Sequence, residues 1–397
     1  MGKPSNRLDV LLVLRASVSN YPPTLNQANL LAQKGLRVGI INLWGNNSDQ
    51  NKLDSAVVHW QVHRQWNSKT DKIPLIANRW FNWIKFYNTC QRVMFWNKPK
   101  VVIGYDIHGC MHLWPRSKVH HTIYHFHEFP EKEKGMGIGP WLSMLQVSRN
   151  SRKTDFVVFS DIHRADLFVK KARLTSLPKI VMNCPTTMNS IPVSNLSKIL
   201  SEMGLPKSHV VCYLGSIGDD KGLIEAARSM TYWPENAVFV LIGPYAPKVK
   251  ENILINARLS NASERVFFLG PKPHSEALML AAGGDVGLSL IQSNTKNWLY
   301  SAGALNKRFE YMALGLPQVT NKGPGVADII EKNDCGVCVD PRSPEQIGQT
   351  ILNLLKNPER RYTMSINARS SHLNEFNYEK QFSEVEGMIE SFCHNTT

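Results

Sequence analysis

Residues 303–321, GALNKRFEYMALGLPQVTN, decide how the chain folds. The stretch reads as a helix carrying Lys307, Arg308 and Glu310, stopped at Gly315, after which Leu316-Pro317 opens a strand over residues 318–321. Glycine accepts the left-handed conformation and proline cannot continue the helix, so the pair makes a firm end. Phe309, Tyr311, Met312, Leu314 and Leu316 supply the packing around that end. Glu310 sits among them, and a carboxylate buried there needs a hydrogen-bonding partner. Alone, the stretch leaves two readings open: a solvated helix face with one acid, or a site residue.

The same alternation of helix and strand continues in both directions. Downstream, residues 336–339 read as a strand followed by two helices, and an amphipathic helix runs from about 378 to 392. Upstream, 210–214, 237–242, 266–269 and 285–290 read as strands with helices between them. Residues 184–208, with Pro185, Pro192 and Pro206, look like a linker. Before it, strands are expected at 8–14, 37–43, 56–62, 101–105, 121–126, 155–160 and 179–182. Thr24 is expected to cap a helix ending at Gly35, a long helix should cover 73–97, and GMGIGP at 135–140 reads as a loop before another helix. Continuous apolar strands alternating with helices imply parallel sheets covered on both faces. The expected class is α/β: two doubly wound Rossmann-like domains in tandem, facing a cleft.

Length agrees, since 397 residues exceed one ordinary core. At 43% hydrophobic and 20% charged the composition is globular. The apolar run at 8–14 is ended by Arg15 and reads as a buried strand, not a signal peptide or membrane span. Seven scattered cysteines suit a reducing cytoplasm. Charge is unevenly placed. Residues 1–190 hold 26 Lys+Arg against 11 Asp+Glu, a net of +15, whereas 191–397 hold 20 against 21, a net of −1. Either the first half faces something anionic, such as a membrane surface, a phosphorylated lipid or a polyanion, or it is merely a soluble basic surface. No nucleic-acid recognition motif is visible.

Gly215-Ser216-Ile217-Gly218-Asp219-Asp220-Lys221-Gly222 joins a strand to a helix. Glycines at such a junction let backbone N–H groups approach an anion. Lys221 at the helix start opposes the macrodipole, which a phosphate partner would explain; the alternative is an ordinary turn. The Walker pattern is not matched. Gly243-Pro244 and Gly270-Pro271 end neighbouring strands, and three such ends suit a nucleotide at the carboxyl edge of a sheet. His120, His121, His125 and His127 crowd one strand before Glu128, with His125 and His127 on one face. A metal site there would lack a visible third ligand, and a single functional histidine at the strand's end is the other reading. Cys335 and Cys338 have zinc-like spacing but no second pair, and read as core. Trp80, Trp83, Tyr87, Cys90 and Met94 recur at helical spacing among Arg79, Lys85, Arg92 and Lys98, either as core packing or as an interfacial membrane contact.

The second half resembles the donor-binding domain of GT-B glycosyltransferases of the retaining family-four (group 1) type. The segments that carry it are YLGSIGDDKGL at 213–223, VFVLIGP at 238–244, VFFLGPKP at 266–273, NKRFEYMALGLPQV at 306–319 and CGVCVDPRSPEQIGQTILNLLKNPERRYTM at 335–364. FNYEKQF at 376–382 is similar to the family's last helix. The first half matches more loosely, through LLAQKGLRV, KPKVVIGYDIH, HFHEFPE and TDFVVFSDIHRADL. The resemblance implies an acceptor-side domain at 1–190, a nucleotide-sugar domain at 191–375 and a helix at 376–397 that crosses back to the first domain. It implies that Lys221 holds the donor diphosphate, with Gly215 and Ser216 in the same loop, and that Glu310 bonds the ribose hydroxyls. Gly243 and Gly270 to Lys272 would frame the base, and His127 is similar to the histidine that reaches the transferred sugar. No D-x-D is present, and no metal or separate cofactor is implied.

Three departures accompany the likeness. Ser216 stands where the family often has Arg, Ala302 stands where E-x7-E wants its first Glu, and SVSNYPP replaces a Gly-Gly pair. Branches with NK before FEYMA also lack that Glu, and Lys307 is the candidate to contribute instead. The expected activity is transfer of a sugar from a nucleotide-diphosphate donor to the hydroxyl of a glycan, lipid or small molecule, with retention, in glycolipid, surface-polysaccharide or glycoconjugate synthesis. The expected location is the cytoplasm or the inner face of the membrane, with an anionic membrane surface as a candidate partner and no nucleic acid. The competing expectations are a GT-B sugar-nucleotide epimerase and a catalytically weak, membrane-associated pseudo-enzyme.

Overall fold

The computed structural model describes residues 7–43, 52–62, 75–113, 121–132, 136–205, 208–293 and 295–394, with side chains of the helix that starts at 75 described from 82 onward. The chain divides into two units, 1–182 with 381–397, and 183–380. In the first unit, β1 (Val10–Leu14) leads into α1 (Pro22–Gln33), β2 (Val38–Leu43), β3 (Val58–Val62) and α2 (Leu75–Asn97). Next come β4 (Val101–Tyr105), α3 (Asp106–Cys110), β5 (His121–Phe126), α4 (Ile138–Asn150), β6 (Phe156–Phe159), α5 (Ile162–Ala172) and β7 (Lys179–Ile180). The strands form a seven-stranded sheet, ordered β3-β2-β1-β4-β5-β6-β7, and every pairing is parallel. The run VLLVL of β1 is wholly buried, as a central strand covered on both faces must be.

The second unit begins with α6 (Leu196–Glu202), then β8 (His209–Leu214), α7 (Leu223–Ser229), β9 (Ala237–Ile242), α8 (Pro247–Leu259), β10 (Val266–Gly270) and α9 (His274–Ala281). It continues through β11 (Val286–Ser289), α10 (Lys296–Leu299), α11 (Asn306–Ala313), β12 (Gln318–Asn321), α12 (Val326–Ile330), β13 (Gly336–Val339), α13 (Pro344–Lys356), α14 (Pro358–Asn374) and α15 (Tyr378–His394). Its six parallel strands run β10-β9-β8-β11-β12-β13. In each sheet the order reverses once, at β1/β4 and at β8/β11, and crevices open at the carboxyl ends of the strands beside such reversals. The opening stretch folds as expected: α11 stops at Ala313, Gly315 has φ +63°, and β12 follows.

The last helix starts in the second unit and ends in the first. Phe382, Val385, Ile389 and Cys393 lie buried along one side of it. Phe392 stacks on His121 with ring centroids 3.9 Å apart, and Glu384 and Glu386 pair with Lys179 and Lys34 at 2.6 and 3.5 Å.

Several local expectations change. Thr24 does not cap α1, because Pro22 and Pro23 already start the helix where N–H groups need no partner; its hydroxyl turns inward instead. The buried side of α2 is Asn82, Phe86, Cys90 and Val93, one position round from the expected stripe. Trp83 and Tyr87 stack beside it, 5.7 Å apart, and the side chain of Trp80 lies outside the described residues, as does His120. The loop expected at 135–140 gives way to α4 from Ile138, since Pro140 falls in the first turn, where it removes no helical hydrogen bond. The short helices α3, α10 and α12 have no counterpart in the periodicity. Cys335 and Cys338 are buried, as expected of core.

Candidate functional site

In the second unit the ends of β8, β9 and β10 meet through backbone alone. Gly215 N–H donates to Ile242 O at 2.9 Å, and Gly243 N–H donates to Gly270 O at 2.9 Å. All three glycines have positive φ, at +113°, +150° and +72°. A Cβ on Gly243 would lie 2.0 Å from Gly215 O, so only glycine allows the two strand ends to approach this closely.

Lys307, on α11, reaches this edge. Its Nζ lies 3.6 Å from the Tyr213 ring centroid and would stand 3.5 Å from a Cβ at Gly215. Lys221 Nζ lies 3.4 Å from the Trp298 ring centroid and 2.9 Å from Asp220 Oδ2. Each lysine is 8% exposed. Burial pushes the Lys307 ammonium well below its ordinary range, and the nearby charge of Lys221 pushes it further, while Glu310 opposes the shift. Two mostly buried lysines that repel one another beside this glycine-lined edge form an anion-seeking arrangement.

Lys221 is placed differently from its expected position at a helix start. It closes a short 3-10 turn, Asp219–Lys221, and Gly222, with φ +62°, separates it from α7. Its partners within the chain are an acid and an indole, so no conflict with the helix dipole remains to be explained by phosphate.

Glu310 is mostly buried, and its Oε1 accepts a hydrogen bond from His274 Nε2 at 2.8 Å. Of the two initial readings, the solvated face is therefore ruled out. Lys272 is exposed and pairs with Glu276 at 2.9 Å, one helical turn on. Ser216 is exposed at its side chain, while its carbonyl accepts from Tyr213 OH at 2.8 Å. Ala302 is buried, and the carbonyl of Ser301 beside it accepts from the fully buried guanidinium of Arg308 at 2.7 Å. Arg308 also donates to Thr320 Oγ1 at 3.1 Å and Asn321 Oδ1 at 2.9 Å, which ties the segment before α11 to β12. Tyr311, also buried, accepts from Leu214 N–H at 3.0 Å and so fixes α11 against the end of β8.

The structure thus gathers Gly215, Gly243, Gly270, Lys221, Lys307 and Glu310 at one edge and adds His274, Trp298, Tyr213 and Arg308. Apart from Lys307, Arg308 and Glu310, which share one helix, their sequence distances follow no helical or strand repeat, so periodicity carries no signal for them.

His127 belongs to the first unit, just past β5. It is 6% exposed and hydrogen-bonds Thr24 Oγ1 through Nε2 at 3.0 Å. Tyr21 and Tyr105 flank it at 5.3 and 5.5 Å between ring centroids, the latter stacked. Its backbone N–H donates to Asp106 Oδ1 at 2.8 Å, and its carbonyl accepts from Arg164 at 2.6 Å. The SVSNYPP segment that replaces a Gly-Gly pair therefore supplies Tyr21 to this histidine. Burial, with Arg164 nearby, pushes the imidazole down to about 3. His127 is neutral at physiological pH and suited to hydrogen bonding, not to proton abstraction. His125 lies 4.8 Å away and bonds Gln27 Nε2 at 2.9 Å. Among the described residues no group of three or more His, Cys, Asp or Glu is placed to hold a metal ion.

Residues 201–371 match the family model described as glycosyl transferases group 1. No curated protein matches the chain by sequence. Among solved structures, Anabaena Alr3699/HepE in complex with UDP and glucose has a TM-score of 0.74 at 14% identity, covering 97% of this chain and 100% of that one. WaaG, a glycosyltransferase involved in lipopolysaccharide biosynthesis, has 0.68 at 16%, covering 96% and 99%. Sucrose-phosphate synthase from Thermosynechococcus elongatus has 0.71 at 14%, covering 96% and 98%. The fold is the two-unit α/β fold of GT-B glycosyltransferases.

Proposed function

We propose that this chain transfers a sugar from a nucleotide-diphosphate donor to an acceptor hydroxyl with retention, in glycolipid, surface-polysaccharide or related glycoconjugate synthesis. The observation that carries this reading is the pair of mostly buried lysines, Lys221 and Lys307, beside the glycine ends of β8 and β9. Cleavage of the sugar–diphosphate bond leaves charge on the diphosphate, and preorganised cations with backbone N–H groups stabilise it as it develops. Lys307, on the helix that also carries Glu310, compensates for the carboxylate missing at Ala302. Glu310, held by His274, has a second oxygen to offer ribose hydroxyls. The acceptor proton passes to the departing diphosphate oxygen, so retention results when the acceptor enters on the face that the leaving group vacates. The reaction needs no metal. The seven cysteines are all free and buried, which suits a reducing compartment.

Calorimetric titration with UDP, GDP and ADP, followed by turnover of the matching nucleotide sugar, tests this. One nucleotide should bind, with Glu310→Ala weakening it about tenfold or more, the loss expected of one hydrogen bond to a charged group. Because burial depresses Lys307 in the free protein, an anion bound beside it should favour its charged form, so binding should weaken as pH rises. Turnover should survive EDTA and fall with Lys221→Ala. An unchanged rate in that variant defeats the assigned role, and release of an epimer without acceptor defeats the transfer reaction.

A further inference from the structure

The carboxyl edge of the second sheet has two halves. The glycine ends of β8, β9 and β10 form one, and at the other, beyond β11, β12 and β13, a cavity of about 380 Å³ opens. That volume lies in the range of small-molecule sites, which in open α/β sheets sit outside the carboxyl ends of the strands. Among the described residues its lining includes neither Lys307 nor Glu310.

The walls of the cavity are tied to one another. Gln292, after β11, donates its backbone N–H to Asp220 O at 2.9 Å and its side-chain amide to Pro341 O, in the loop after β13. Lys322 N–H donates to Val339 O at 2.8 Å, which joins the ends of β12 and β13. The three strand ends are therefore fixed before any ligand arrives, which lowers the ordering cost of binding.

The lining has two chemical characters. Trp298 and Leu299, on α10, supply the apolar part. Lys221 Nζ lies over the Trp298 ring, so this one side chain borders both halves of the edge. The polar part combines amides with charge. Gln346 Oε1 accepts from Asp340 N–H at 3.2 Å, which leaves its NH2 group to donate, whereas Gln292 donates through its NH2 and has its Oε1 left to accept. Lys322 and Arg342 are exposed at the cavity. The acid beside them is Asp340, whose Oδ1 already accepts from Arg342 N–H at 2.9 Å.

These characters identify the ligand. A pyranose ring presents polarised C–H bonds that pack on the electron-rich face of an indole. Its hydroxyls both donate and accept, which a donating and an accepting amide satisfy together. Two cations against one engaged carboxylate favour a negative group on that sugar, and Lys and Arg hold carboxylate and phosphate alike by charge-assisted hydrogen bonds. A bare inorganic anion would leave the indole and both amides unused.

We propose that the cavity beyond β11, β12 and β13 binds an anionic saccharide, with the ring against Trp298, hydroxyls on Gln292 and Gln346, and the carboxylate or phosphate on Lys322 and Arg342. Neither the site nor its test involves a nucleotide, so failure of the donor reading above would leave it standing. Saturation-transfer NMR titrations of the full chain with methyl glucuronide, glucose 6-phosphate and neutral methyl glucoside test it, the first two separating carboxylate from phosphate. At least one anionic sugar should bind about tenfold or more tightly than the glucoside, the worth of one charge-assisted hydrogen bond. Lys322→Ala/Arg342→Ala should remove that advantage, and Lys307→Met, which alters the glycine edge, should keep it. Binding that resists the first variant, or that is lost with Lys307→Met, puts the sugar elsewhere and overturns the proposal. Equal affinity for all three sugars overturns it too, as does displacement of the anionic sugars by an equal concentration of inorganic phosphate.

Discussion

Gly243 shows how much one residue can decide. With φ at +150° and Gly215 O 2.0 Å from where its Cβ would be, alanine there meets backbone, which cannot swing aside. Gly270 has φ +72° but nothing within 4 Å of the corresponding position. Gly243→Ala should cost about 3 kcal/mol and disturb the anion edge, since strain and overpacking both apply, whereas Gly270→Ala should cost roughly 1 kcal/mol for conformation alone. Urea midpoints of the two variants check the contrast, and equal losses would mean that the close approach does not limit stability. The residue scale also shows what was legible at the edge formed by the glycine ends of β8, β9 and β10. Glu310 and Lys307 share one short stretch, but that stretch alone leaves a solvated face and a site residue both open, and the roles expected of them come from the resemblance to the family. His274 was not readable as Glu310's partner, because a contact across 36 residues leaves no periodic trace.

At the scale of elements, β5 and its surroundings concentrate buried neutral histidines. His127 and His112 are pushed down to about 3 and His125 well below its ordinary value, burial being the chief cause in each. Their folded values lie below the unfolded 6.5, so the unfolded chain gains protons first as pH falls. Stability is then lost from pH 6.5 downward, at about 1.4 kcal/mol per pH unit for each histidine. Asp106 acts oppositely: burial raises its carboxyl from 3.8 to about 6, so the folded state gains between those values. Three histidines against one carboxyl leave a net loss of roughly 3 kcal/mol per unit below pH 6. Urea unfolding followed from neutral pH to about pH 5 should show the midpoint fall, and His112→Phe should soften the slope. The crowding of histidines was plain in the sequence; their neutrality was not, because it depends on Tyr21, Tyr105 and Arg164 arriving from three other segments.

At the scale of the whole molecule, α15 belongs to the first unit by packing although it follows the second in sequence. Ile389 is fully buried on it. Ile389→Ala should therefore cost about 2–4 kcal/mol, read as a lower urea midpoint for fluorescence of the first unit's tryptophans, with nucleotide binding retained. Two parallel α/β sheets, the helix end at Gly315 and the polarity of the chain's charge were determined by the sequence alone, because apolar periodicity and backbone stereochemistry are local properties. The face that α2 buries, the inward turn of Thr24, and the acid and indole around Lys221 were decided only by tertiary structure. Each depends on which distant surface happens to cover a side chain, and burial is a property of the assembled fold that no local pattern contains.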